Sequence, residues 1–281
     1  MSCVPVDRDM DISAHSGYRV IKFSFNASSF SLDFVWAVEL SRFGLDLVGL
    51  WPKTDKAVIN NVVSGLRALV TFILIIFFCL IPLLCSLVRV WNDMILIIDN
   101  LQATLPVAAM SLKITIMWWK RKGASLIIGM IAEDWIEVKE DAERKVMIRR
   151  ARSLHLIAIY GYVSMTFAYI MVIILPLFGL HYRYITNFTD GDKALPLQTY
   201  YFYDTTKSPL FELTYAVQAL SIFLGLIIYT SVDSFFGLAI FHISGQLEIF
   251  NRRMLTLISN NNFDCALRNN VKIHLRLVRF L

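Results

Sequence analysis

The sequence predicts an all-α, polytopic transmembrane helical bundle with an inward N-terminus, four spans and the start of a fifth. Three observations predict it. Residues 68–88 form a run of 21 residues without a charged side chain, and roughly 20 apolar residues at about 1.5 Å rise cross a hydrocarbon core of about 30 Å. The chain is 57% hydrophobic and 17% charged, against roughly 25% charged in an average soluble domain. Its lysines and arginines gather in alternate loops, the mark of membrane orientation.

The other bulk properties agree. Mean hydropathy is +0.58, which argues against a soluble enzyme. The net charge of +5 and the pI near 9.0 come from basic blocks beside apolar runs, a pattern of membrane topology and not of nucleic-acid binding. Cys3, Cys79, Cys85 and Cys265 contain no CxxC pair, and two lie in the first apolar run. Neither a zinc site nor a disulfide framework is indicated. The first 60 residues are too polar and too long for a signal peptide, so the first span is its own targeting signal.

Residues 1–63 read as a cytoplasmic segment with one amphipathic helix. Trp36, Leu40, Phe43, Leu47 and Leu50 recur at helical spacing, with Glu39, Arg42 and Asp46 on other faces. Such a helix either packs under the bundle or lies in the interface. Pro52 closes it, since the residue before a proline is pushed out of helical geometry. Span one is 64–88. Span two, 94–119, is interrupted by Asp99 and Lys113 and ends on Trp118-Trp119, indoles suited to the headgroup layer.

Residues 120–152 hold charges of both signs, with Glu140/Arg144 and Asp141/Lys145 at i, i+4 in the favourable order. They read as a cytoplasmic helical loop. Span three, 153–182, carries only His155 and His181, near its ends. An extracellular loop covers 183–212. Span four, 213–247, is uncharged up to Val232 and continues helically past Asp233. The amphipathic segment 271–281 starts a fifth span.

Counting lysine and arginine fixes the orientation. Six precede span one, one (Arg89) lies between spans one and two, nine fall in 120–152, three in the next loop and six after span four. The N-terminus and the 120–152 loop are then cytoplasmic, and 183–212 faces out. The glycosylation acceptor Asn187-Phe188-Thr189 falls in that outward loop.

No catalytic signature is present. There is no Gly-rich phosphate loop, HExxH or GxSxG. His15, His155, His181, His242 and His274 are scattered without ligand spacing. No catalytic residue, metal or cofactor is expected. Asp99 and Asp233 fall near the outer and cytoplasmic boundaries and read as structural hydrogen-bonding groups. Pro82, Pro106 and Pro176 could kink spans, but no charged midplane pair of the transporter kind accompanies them. A rhodopsin-like receptor would need an outward N-terminus.

Several short motifs carry a resemblance. Gly49-Leu50-Trp51-Pro52 resembles the signature before the first span of insect odorant receptors, and so does the stretch from Leu101 through Pro106 and Lys113 to Asp134-Trp135. The best match is Asp233-Ser234-Phe235-Phe236 followed by Phe241-His242-Ile243-Ser244-Gly245-Gln246-Leu247, and His274 looks like the histidine that opens the family's fifth span. The resemblance implies a seven-span, odorant-gated cation channel subunit of the plasma membrane. Such subunits assemble with a shared coreceptor and bind volatile molecules in the outer half of the bundle. This sequence stops where the fifth span begins, so the sixth span and the pore-lining seventh are missing, and a truncated or incomplete chain is expected.

A pocket for small volatiles needs apolar walls and a few polar groups. Asn100 in the outer half of span two, Thr166 and Tyr169 on one face of span three, and Tyr215 and Gln218 on one face of span four are the candidates. Ordinary helix packing is the competing reading for each. Two alternatives stay open for the whole chain: a gustatory receptor of the same superfamily, or a small four-span transport or structural protein.

Overall fold

The computed structural model describes residues 29–51, 58–137, 141–178, 195–197, 199–205 and 207–258. The segment 271–281 and the sequon at Asn187 lie outside them. Every regular element described is helical. The helices are α1 (Ser29–Val48); α2 (Val58–Ile75, a π-helical turn Ile76–Leu80, and Ile81–Arg89); α3 (Met94–Trp119); α4 (Arg121–Glu137); α5 (Asp141–Tyr169, a π-helical turn Ile170–Ile174, and Leu175–Leu177); and α6 (Leu210–Ile258). Among the described residues, four stretches are long and apolar enough to cross a membrane: Asn61–Arg89, Met94–Trp119, Asp141–Ile174 and Leu210–Leu255.

Lipid offers no hydrogen bonds, so a spanning backbone must satisfy its own polar groups. Each element's ends and breaks follow that rule. Asp93 caps α3, its carboxylate accepting from the N–H groups of Ile95 (2.9 Å) and Leu96 (3.4 Å). Thr104, Ser111 and Thr115 fold their hydroxyls back onto the carbonyls of Asn100, Val107 and Ser111, which hides three polar groups inside one apolar helix. In α2 the π turn shifts the ladder by one residue, and the Ile81 N–H bonds to Ile76 O.

The organising element is α6. Its 49 residues extend about 73 Å at 1.5 Å per residue, more than twice the thickness of a hydrocarbon core. All the other helices pack along it. The central core joins Leu45 of α1, Ile75 and Leu83 of α2, Ile114 of α3 and Ile228 and Val232 of α6, all nearly or wholly buried. A second core, towards one end, joins Val38, Ile131, Trp135, Met147, Leu154 and Leu238.

That end is rich in arginine, and its charges pair between helices. Arg144 of α5 binds Asp33 of α1 through Nε (2.8 Å) and a terminal nitrogen (2.5 Å). Arg253 of α6 grips the buried Glu143 at 2.5 and 2.6 Å. Glu248 takes Arg149 (2.5 Å), Arg150 (3.0 Å) and Arg252 (3.1 Å). His242 is buried against Asp134 at 2.8 Å. Arg144 thus takes a carboxylate from α1, across more than a hundred residues of sequence; Glu140, its expected i, i+4 partner, lies outside the described residues. Lys113 and Asp233 form an ion pair at 2.6 Å, with the Lys113 ammonium also 3.2 Å from the Tyr229 ring centre.

The amphipathic helix α1 packs inside the bundle, but on a different face from the large apolar stripe. Trp36, Phe43 and Leu47 are exposed, whereas Ala37, Val38, Ser41, Gly44, Leu45 and Val48 are buried. Small residues win because they let two backbones approach closely. Ser41 Oγ lies 2.7 Å from Ser234 Oγ of α6, and Tyr162 Oη lies 2.8 Å from Ser231 Oγ. A Cβ at position 44 would sit 1.9 Å from Ser231 Oγ and 2.6 Å from Tyr162 Oη. The helix ends on Gly49, at φ +82°, with Gly49 N–H to Asp46 O (3.0 Å) and Leu50 N–H to Leu45 O (2.8 Å), a Schellman cap.

Gly44→Val should therefore push α1 off α6 and cost about 1–3 kcal/mol. The measurement is thermal unfolding of the purified chain in detergent, where a midpoint several degrees lower is expected. An unchanged midpoint would show that the seam is loose.

Candidate ligand-binding site

At the end of the bundle opposite the arginines, residues 195–197 and 199–203 form a strap across α2 and α6. Its anchor is Gln218, which is 0% exposed. The Gln218 carboxamide oxygen accepts from the Leu197 N–H at 3.2 Å, and its nitrogen donates to Thr199 Oγ1 (2.8 Å) and Tyr201 Oη (2.9 Å). All of that buried amide's capacity goes into holding the strap.

The strap in turn repairs α2. Pro82 has no N–H, so the carbonyl four residues earlier loses its α-helical donor. That carbonyl belongs to Phe78, and Tyr201 Oη donates to it at 2.7 Å. The Tyr200 N–H donates to Pro82 O at 3.2 Å, and the Arg89 guanidinium lies 3.4 Å from the centre of the Tyr200 ring. Burial pushes the Tyr201 hydroxyl up to about 12, although bonds with Gln218 and Thr199 pull the other way. It therefore remains a protonated donor throughout the physiological range.

Beneath the strap lies a small apolar cluster. Ile173, Leu195 and Tyr215 are buried together, with Tyr169, Phe211 and Ile222 packed around them. Tyr215 Oη donates to Ile173 O at 2.6 Å, inside the π turn of α5. Tyr169 meets Phe223 edge-on, ring centres 5.7 Å apart at 64°. No hydrogen bond to the Tyr169 hydroxyl occurs among the described residues. A half-buried phenol against an apolar wall is a group that can orient a small ligand.

The five candidates divide. Tyr169 and Tyr215 share this wall, and Gln218 holds the strap over it. Asn100 is buried on α3, its side-chain oxygen accepting from Thr104 Oγ1 at 2.8 Å. Thr166 is exposed and bonds back to Tyr162 O at 2.8 Å. Thr199 and Tyr201 were missed by sequence reasoning. The available signal was four consecutive aromatics, Tyr200-Tyr201-Phe202-Tyr203, in a polar loop. Among the described residues, no group of three or more histidines, cysteines or acids comes together to hold a metal.

Fold and site together define a multi-pass helical membrane protein with an apolar cluster held under a strap at one end. The chain belongs to the 7tm odorant receptor family, whose model matches residues 93–281. Its fold is similar to that of the insect olfactory receptor OR5 from Machilis hrabei, with TM-score 0.72 and 16% identity over 90% of this chain and 65% of that one. The same receptor solved in complex with eugenol matches with TM-score 0.72 at 15% identity, over the same shares of the two chains. This chain thus spans about two thirds of OR5's length. No curated protein matches it.

Gln218→Leu keeps the volume but leaves the Leu197 N–H without its acceptor and removes the donor to Thr199 and Tyr201. Each buried polar group so abandoned costs about 1–3 kcal/mol. Hydrogen exchange across the strap should accelerate at least tenfold, and unaltered exchange would show that other contacts hold it.

Proposed function

We propose that this chain is an odorant receptor subunit of the plasma membrane that binds small volatile molecules beneath the strap. It gates cation flux together with a coreceptor subunit. Family membership supports the class. The observation that carries the ligand reading is the apolar cluster of Tyr169, Ile173, Tyr215 and Ile222, with a strap clamped over it and the Tyr169 phenol making no hydrogen bond among the described residues. Such a wall takes a ligand with a compact apolar body and at most one or two hydrogen-bonding groups. The OR5 structure with eugenol, a small aromatic molecule, is consistent with that class of ligand.

The arginine-bearing end faces the cytosol in this reading, because lysine and arginine are retained on that side. The N-terminal segment 1–63, the 120–152 region and the extension of α6 are then intracellular, and the strap faces out. Gating follows if a ligand prefers one packing of α5 against α6 over another. The residues that meet beneath the strap, Tyr169 on α5 with Tyr215 and Phe223 on α6, are the pairs through which such a preference would act. No step requires a cofactor or a catalytic group.

Tyr169→Ala should raise the odorant concentration for half-maximal current about tenfold, equivalent to about 1.4 kcal/mol of lost binding. The check is co-expression with a coreceptor in oocytes, testing a broad panel of volatiles, with surface labelling to confirm unchanged insertion. Identical dose–response curves for wild type and variant would overturn the assignment of Tyr169.

A further inference from the structure

The passage from α3 into α4 carries a feature that odorant binding does not use. Trp118, Trp119, Lys120, Arg121 and Lys122 are five consecutive exposed residues. The helix hardly breaks there: the Lys120 N–H still reaches Ile116 O (2.8 Å) and the Ala124 N–H reaches Lys120 O (3.0 Å). At 100° per residue, five successive side chains circle the rod completely. This level of the rod is thus almost bare of protein. The Trp118 indole approaches Gly65 of α2, 3.8 Å from where a Cβ would stand, and the Arg121 guanidinium lies 5.9 Å from the Trp118 ring.

We propose that this collar is a binding site for anionic phospholipid headgroups. The charge inventory is the first reason. Arg144, Arg149, Arg150, Arg252, Arg253 and Lys113 are matched with carboxylates. Lys120, Arg121 and Lys122 have no carboxylate partner among the described residues. Three adjacent uncompensated cations repel one another until an anion is supplied from outside.

Position is the second reason. Leu105, Leu112 and Ile116, in the turns before the collar, are exposed and apolar, as lipid-facing residues are. The rod therefore leaves hydrocarbon at the tryptophans, whose amphipathic rings favour the headgroup layer. Below the collar, α4 turns Ala124, Ile131 and Trp135 inward onto the bundle. Cations at that depth meet lipid phosphates and are attracted to them. A soluble acidic protein would have to displace lipid from the indoles to reach the same charges.

The test is native mass spectrometry of the purified full chain in detergent, titrated with phosphatidylserine or phosphatidylcholine. The wild-type chain should bind phosphatidylserine about tenfold more tightly, a preference lost in high salt. Replacing the three cations together (Lys120→Gln, Arg121→Gln, Lys122→Gln) should remove it. The charge-keeping pair Lys120→Arg and Lys122→Arg should retain it, as should Lys145→Gln with Arg152→Gln, which removes exposed cations elsewhere. Circular dichroism checks that every variant folds. Equal affinity for the two lipids in wild type would overturn the proposal. So would undiminished preference in the triple variant, or an equal loss in the Lys145/Arg152 control.

Discussion

The constraint on which this structure depends is that lipid cannot satisfy a backbone carbonyl or N–H. Straight helices obey it without help. The informative places are those where the ladder is irregular, and at two of them a side chain from elsewhere donates to a backbone carbonyl. Tyr201 donates to Phe78 O, before Pro82, and Tyr215 donates to Ile173 O, within the π turn before Pro176. The mending tyrosines belong to the strap and to the start of α6, so repair and tertiary organisation are the same event. The apolar cluster beneath the strap lies where two irregular helices are completed by aromatic hydroxyls.

The two ends of the bundle use different chemistry for the same purpose. Towards the arginines, ion pairs join helices: Asp33 to Arg144, Glu143 to Arg253, and Glu248 to three guanidiniums. Several of these groups keep contact with solvent, where exposed pairs contribute little individually. Glu143 is the exception, because it is buried and gripped by both nitrogens of its arginine. Towards the strap, neutral hydroxyls and one carboxamide do the joining. Neutral donors avoid the desolvation cost of a charge. Between the ends, α1 contributes a seam of small residues along α6 and closes the centre.

Much of this was legible in the sequence. Long uncharged runs declare helices that dissolve in lipid, because no other single-segment structure hides its backbone. The motif order pointed to the odorant receptor family, and the family match over residues 93–281 agrees. The packing face of α1 was not legible. Hydrophobic size drew the eye to Trp36, Phe43 and Leu47, whereas close approach selected Ser41 and Gly44. Nor could spacing show that Arg144 reaches Asp33, since local geometry offered a partner on its own helix.

By itself, then, the sequence determined the all-helical membrane class, the helices' apolar character and the family, because each is written in local composition and order. Only the tertiary structure decided which candidates meet. Tyr169 and Tyr215 share a wall, Gln218 is wholly engaged with the strap, and Thr166 faces away. A helical residue's neighbour three or four positions on is fixed by the helix. Its neighbour on another helix depends on the depth, rotation and close approach of two rods, and those follow from small residues and broken turns scattered along the whole chain.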